Sequence, residues 1–147
     1  MKRALVLSLV AVIGLVVAAF GSGPLLNFGI EPAAGQTVSL GFGWDFDSWA
    51  IIAAKDGFTT WTGLWSISAL WTPTVGWADV RVGPKLEMEL TSSGLAYSDM
   101  ALVLGVEHFW SIVGIYGQLE IGATGGFKPV VGIELHFDLP QPATGVE

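Results

Sequence analysis

Cysteine is absent, which excludes disulfides, thiolate metal sites and cysteine nucleophiles. Histidine occurs only as His108 and His136, too little for a conventional zinc centre. Charge is scarce too: 13% of residues are charged, about half the usual share for a soluble domain. Beyond the first few residues the only lysines and arginines are Lys55, Arg81, Lys85 and Lys128. A formal charge of −7 argues against nucleic acid as a partner. Past residue 23 no stretch approaches 18 consecutive apolar residues, so no helical membrane span is expected there.

The amino-terminal segment has a different character. Lys2 and Arg3 precede an apolar run from Ala4 to Phe20, broken only by Ser8 and Gly14, and small residues follow in "VVAAFGSG". A basic start, a short apolar centre and a small-residue cleavage region describe a secretory signal peptide. We expect residues 1–21 to be removed, which takes the formal charge from −7 to −9 with the loss of Lys2 and Arg3. Residues 22–138 then form one domain, and residues 139–147 form a patternless, flexible tail.

The domain is built from alternation. In "ADVRVGPKLEMEL", Val80, Val82, Pro84, Leu86, Met88 and Leu90 are apolar, while Asp79, Arg81, Gly83, Lys85, Glu87 and Glu89 are polar, charged or glycine. A period of two is the mark of a strand with unlike faces. Eight segments read this way: Leu25–Glu31, Gln36–Phe46, Ser48–Lys55, Phe58–Trp71, Val75–Leu90, Leu95–Phe109, Ser111–Ala123 and Phe127–Asp138. Only "SWAIIAAK" is ambiguous. Short Gly-, Pro-, Asp- and Ser-rich turns separate the segments, with "HFWS" the weakest, so consecutive hairpins predict an antiparallel meander. Pro84 removes one ladder donor, yet the alternation keeps phase across it, which predicts a lost bond rather than a broken strand.

Three features indicate which face is inside. The polar phase is rich in Gly, Ser and Thr and poor in Lys, which suits the crowded lumen of a narrow eight-stranded barrel. Large aromatics gather at strand ends: Trp44, Phe46 and Trp49 at the second turn, Trp71 and Trp77 at the fourth, Phe109 and Trp110 at the sixth, and Phe137 at the end of the last strand. Even turns and the carboxyl end share one rim of an up-and-down barrel, so five of the seven Trp form one interfacial girdle. Phe58, Trp61, Tyr97 and Phe127 make a thinner ring at the odd turns. Most segments also reach the roughly 9 to 11 residues needed for a tilted strand to cross a bilayer.

The chain resembles the small outer-membrane β-barrels of OmpA- and OmpX-like architecture over about Leu25 to Phe137, on pattern, size and signal peptide. "VVGIELHF" is similar to the carboxyl-terminal assembly signal of such proteins. The resemblance implies an eight-stranded antiparallel up-and-down transmembrane β-barrel, an outer-membrane location, and two partners: the lipid bilayer and the outer-membrane assembly machinery.

Within such a barrel the inward phase carries Glu31, Asp45, Asp79, Glu87, Glu89, Asp99, Glu107, Glu120 and Glu134. Buried carboxylates must be paired, hydrated, metal-bound or protonated. We expect a polar network of Arg81, Lys85, Glu87, Gln118, Glu120, Glu134 and His136, in which Arg81 and Lys85 reach Glu120 and Glu134, with Lys85 and Glu134 coupled. That network describes a structural envelope protein without a wide pore. Two alternatives remain: the acid surplus lines a narrow cation path, or the chain is a secreted lipocalin-like barrel for an apolar ligand. No catalytic motif, cofactor motif or metal-ligand spacing is present, so neither an enzyme nor a cofactor is expected.

Overall fold

The computed structural model describes residues 23–32, 37–46, 48–57 and 59–137. The expected signal peptide and carboxyl-terminal tail lie outside the described residues. All described regular structure is strand: β1 (Gly23–Glu31), β2 (Thr37–Asp45), β3 (Trp49–Asp56), β4 (Gly63–Trp71), β5 (Thr74–Val75), β6 (Ala78–Thr91), β7 (Gly94–Trp110), β8 (Val113–Gly122) and β9 (Phe127–His136). Apart from β5, a two-residue arm hairpinned onto β6, these form an eight-stranded wall. Chain neighbours pair antiparallel, and the β4–β6 and β1–β9 pairings leave no free sheet edge running the length of the wall. The sheet is a closed up-and-down barrel, the closure that removes the edges an open sheet would present.

The expected segments map onto these strands with local differences. The fourth was expected from Phe58, but pairing starts at Gly63; Thr60 and Thr62 bond within the preceding loop, and Gly63 takes φ +108°. The fifth was expected to be continuous from Val75. Instead Val75 belongs to β5 and the chain reverses through Gly76 and Trp77. At "HFWS", β7 runs to Trp110 and the reversal falls on Ser111 and Ile112. Ser111 sits there at φ 61°, the one non-glycine with positive φ among the described residues.

Pro84 behaves as the alternation implies. β6 runs through it and pairs it with Leu102 of β7. On the other side the β4–β6 ladder skips Ala69 and Leu70, then resumes at Trp71↔Val82 in the register set by Ser68↔Lys85. The break in pairing is local because the missing donor faces one neighbour only. The true irregularity of β6–β7 lies elsewhere, between Glu87 and Met88, where the register shifts and Ser98 is left over on β7.

The barrel holds the expected polar groups, Arg81, Glu87, Glu120 and Glu134 among them, but Leu25, Ala50, Ile52, Leu70 and Val103 also point inward and form a buried apolar cluster. β3 thereby resolves its ambiguity: Ala50 and Ile52 face in, while Trp49, Ile51 and Lys55 face out. Alternation fades on this strand because both of its faces are apolar, one toward the lumen and one toward the outside.

Candidate functional site

The lumen and its two rims are where the chemistry concentrates. The polar groups inside fall into two clusters. In the first, Arg81 of β6 is 2% exposed, and its Nη1 donates to Glu107 of β7 and, at 2.8 Å, to Glu134 of β9. Glu134 is 1% exposed and also accepts from Asn27 Nδ2 at 2.6 Å, while His136 Nε2 lies 2.8 Å from its other oxygen. Tyr116 donates its hydroxyl to Asn27 Oδ1 at 2.9 Å, and its ring lies under the Arg81 guanidinium at 4.4 Å. His136 Nδ1 is 3.2 Å from Asp45 Oδ2. The cluster therefore ties β1, β2, β6, β7, β8 and β9 together across the barrel.

The second cluster lies nearer the β6–β7 turn. Lys85 Nζ is 2.6 Å from Glu120 and 3.2 Å from Glu87. Gln118 donates to Glu120 at 2.8 Å, and Lys128 of β9 reaches Glu87 at 3.1 Å. The structure thus pairs Arg81 with Glu134 and Lys85 with Glu120. It does not bring Lys85 to Glu134: the expected coupling of those two is corrected, since their hydrogen-bond partners are separate. Glu89, expected inward, keeps the inward phase of β6 and is exposed at the rim next to the β6–β7 turn. Asn27, Glu107, Tyr116 and Lys128 were not named for the network, although all four lie on the inward phase of their strands.

Tyr116 has its place because glycine stands opposite it. Gly132 is its cross-strand partner and Gly29 pairs with Gly132 one strand further on. A Cβ at Gly132 would lie 2.1 Å from the Phe28 carbonyl oxygen and 2.5 Å from the tyrosine ring. The ring covers two strands where no side chain competes, a device that also protects glycine-weakened sheet.

Two cavities lie within the lumen and share no lining residue. One, of about 50 Å³, includes Ser66, Ser68, Arg81, Lys85, Tyr116 and Glu120 among its lining residues. The other, of about 100 Å³, opens toward the rim that carries the chain ends, with Asp45, Asp79, Glu107, Phe109, Glu134 and His136 on its wall. Leu25, Leu70, Arg81, Val103 and Glu134 are each 2% exposed or less; Leu70 and Arg81 line the first cavity and Glu134 the second.

The rims differ in their aromatics. Trp49, Trp71, Trp77 and Trp110 are exposed on the rim of the chain ends, with Trp44 and Phe46 half-buried and Phe137 exposed beside them. Trp77 and Trp110 meet His108 edge-on at 5.4 and 4.6 Å. Phe109 is the exception to the expected girdle. It follows Glu107 on the inward phase, folds over its cross-strand partner Gly114 and packs on the His136 ring at 4.3 Å. It lines the rim cavity of the lumen instead of meeting the outside. On the opposite rim Trp61, Tyr97 and Phe127 are exposed, while Phe58 lies outside the described residues.

No family model and no curated protein matches the chain. Among solved structures, the de novo designed protein TMB2.3, determined by solution NMR, superposes with a TM-score of 0.58. The match spans 82% of this chain and 98% of that one at 7% identity. The chain shares that protein's fold. At such identity the likeness speaks for the eight-stranded antiparallel barrel and for nothing finer.

Proposed function

We propose that the protein is a small outer-membrane β-barrel, exported by a cleaved signal peptide, that acts as a structural envelope protein with a sealed lumen. The observation that carries this reading is the sorting of charge across the wall. The outward positions of every strand are apolar or aromatic almost throughout, including Phe28, Phe42, Ile67, Leu102, Ile115 and Ile133, all at least 40% exposed. Soluble monomers rarely expose a contiguous apolar patch larger than a few hundred Å², whereas here the belt circles the barrel. The costly groups, Arg81 and four carboxylates among them, are buried inside. Such an inversion is stable when the outer solvent is hydrocarbon.

Two further observations shape the reading. A ligand-binding barrel needs a pocket of roughly 300–1,000 Å³, and these cavities of about 50 and 100 Å³ are too small for one. The burial of Leu25, Leu70, Arg81, Val103 and Glu134 inside the lumen favours a sealed barrel over a cation channel. The bilayer is then the principal partner, and the outer-membrane assembly machinery receives β9, the strand that closes the barrel on β1.

The test is to refold the chain without residues 1–21 in lipid vesicles, in detergent and in plain buffer, and to record from planar bilayers. Folding only with lipid or detergent, and silence in the bilayer, is the expected result. A folded monomer in plain buffer overturns the membrane reading; reproducible cation-selective steps overturn the seal.

A further inference from the structure

Lys55 breaks the rule of the outer wall. Among the described strand residues it is the one Asp, Glu, Lys or Arg on the outward phase, since its β3 neighbours Ala54 and Asp56 line the lumen. Its ammonium donates to the Asp56 carbonyl at 2.9 Å and to the Gly57 carbonyl at 3.2 Å. Those acceptors are neutral, and no ion pair among the described residues involves Lys55. An ammonium has three N–H groups, so one donor and the whole positive charge stay available.

The surroundings are ordered around that charge. Lys55 pairs across the ladder with Trp65, whose ring centroid is 5.9 Å from Nζ. Trp61 stacks on Trp65 at 6.2 Å with planes 10° apart, and Trp65 Nε1 donates to the Trp61 carbonyl at 3.1 Å. Thr60 braces the same loop by donating to the Thr62 carbonyl at 3.1 Å. Trp61 is held in place by these bonds and yet is 81% exposed. Indoles belong at the depth of lipid headgroups, and a lysine on a lipid-facing wall extends its charge to the same depth.

We propose that Lys55, flanked by Trp61 and Trp65, binds the phosphate of a phospholipid headgroup at the rim opposite the chain ends. The inference rests on the membrane reading above. The phosphate takes the remaining N–H and supplies the counter-charge that the loop carbonyls cannot, while the stacked indoles lie against the glycerol region. A charge-assisted bond of this kind is stronger than a neutral one, so the lysine should set the affinity and the tryptophans should add to it.

The experiment uses the barrel folded in maltoside micelles, which contain no phosphate, titrated with dihexanoylphosphatidylglycerol or dihexanoylphosphatidylcholine. Backbone amide shifts of Gly57 to Gly63 report binding. Saturable shifts with both lipids are expected. Lys55→Met should raise the apparent Kd about ten-fold, the effect of one such bond, while Lys55→Arg stays near the original. Trp61→Ala, in the loop and off the wall, should weaken binding by a smaller factor. Unchanged titration of Lys55→Met overturns the proposal, leaving Lys55 as a brace for its own loop. Equal shifts with a phosphate-free galactosyl diglyceride, or with inorganic phosphate at the same concentration, overturn it as well. A barrel folded in plain buffer defeats the membrane reading first, a separable outcome.

Discussion

Arg81→Met should destabilise the barrel by about 3–5 kcal/mol, the cost of removing one partner from a buried ion cluster. The guanidinium is 2% exposed and serves Glu107 and Glu134 together through Nη1. The two carboxylates are not left equal by its loss. Glu134 keeps Asn27 at 2.6 Å and His136 at 2.8 Å, whereas Arg81 is the one side-chain partner of Glu107 among the described residues. Glu107 is therefore the residue stranded, and adding Glu107→Gln should recover more of the loss than adding Glu134→Gln. Equilibrium urea unfolding in vesicles, followed by tryptophan emission and by gel mobility, reads each variant. Coupling of about 0.5–3 kcal/mol is expected in both Arg81 cycles. The Lys85→Met and Glu134→Gln cycle, whose members share no partner, should fall below about 0.5 kcal/mol. A loss under about 1 kcal/mol for Arg81→Met would refute the reasoning, because a charge released so cheaply is already solvated. The lumen would then be wet and the acid surplus would favour conduction.

Leu86→Arg places a cation on the outer wall and should cost about 2–4 kcal/mol in vesicle unfolding, while Ser66→Ala on the lumen side costs much less; equal tolerance would mean that the faces are reversed. Gly132→Ala drives a Cβ to 2.1 Å from the Phe28 carbonyl oxygen and against the Tyr116 ring, and a loss of about 1–3 kcal/mol is expected from such overpacking. Wild-type stability there would show that β1 and β9 separate easily. At Ser111, φ 61° favours small residues, so Ser111→Val should lose about 1–2 kcal/mol and Ser111→Gly should be tolerated, checked by the same urea series.

Alternation made most of the wall legible, because each strand separates two unlike environments and a period of two records the difference. It failed where the environments were alike. Ala50 and Ile52 enter the lumen from a strand whose outer face is also apolar, so "SWAIIAAK" shows no contrast. Lys128 was legible and overlooked: it shares its phase on β9 with Val130, Gly132, Glu134 and His136, although it stands next to a turn. Phe109 likewise shares the phase of Glu107; its aromatic character at a strand end suggested a girdle, but phase decides direction.

The pairing of charges lies at a different level. That Arg81 and Lys85 point inward follows from β6 alone, but the choice between Glu120 and Glu134 depends on stagger. Lys85 pairs with Ala101, and Ala101 with Gly122, two residues from Glu120 on the same face of β8. Arg81 sits four residues earlier on β6, and its neighbour Gly105 faces Gln118. Each step around the barrel adds a register offset that no single strand encodes, and a bulge such as the one after Glu87 shifts that offset. The inward charges can be named strand by strand, then, but their partners are decided only when the sheet closes. Closure is also what makes those partners matter, since it buries Arg81, Glu87, Glu107, Glu120 and Glu134, and a buried charge is costly without a partner.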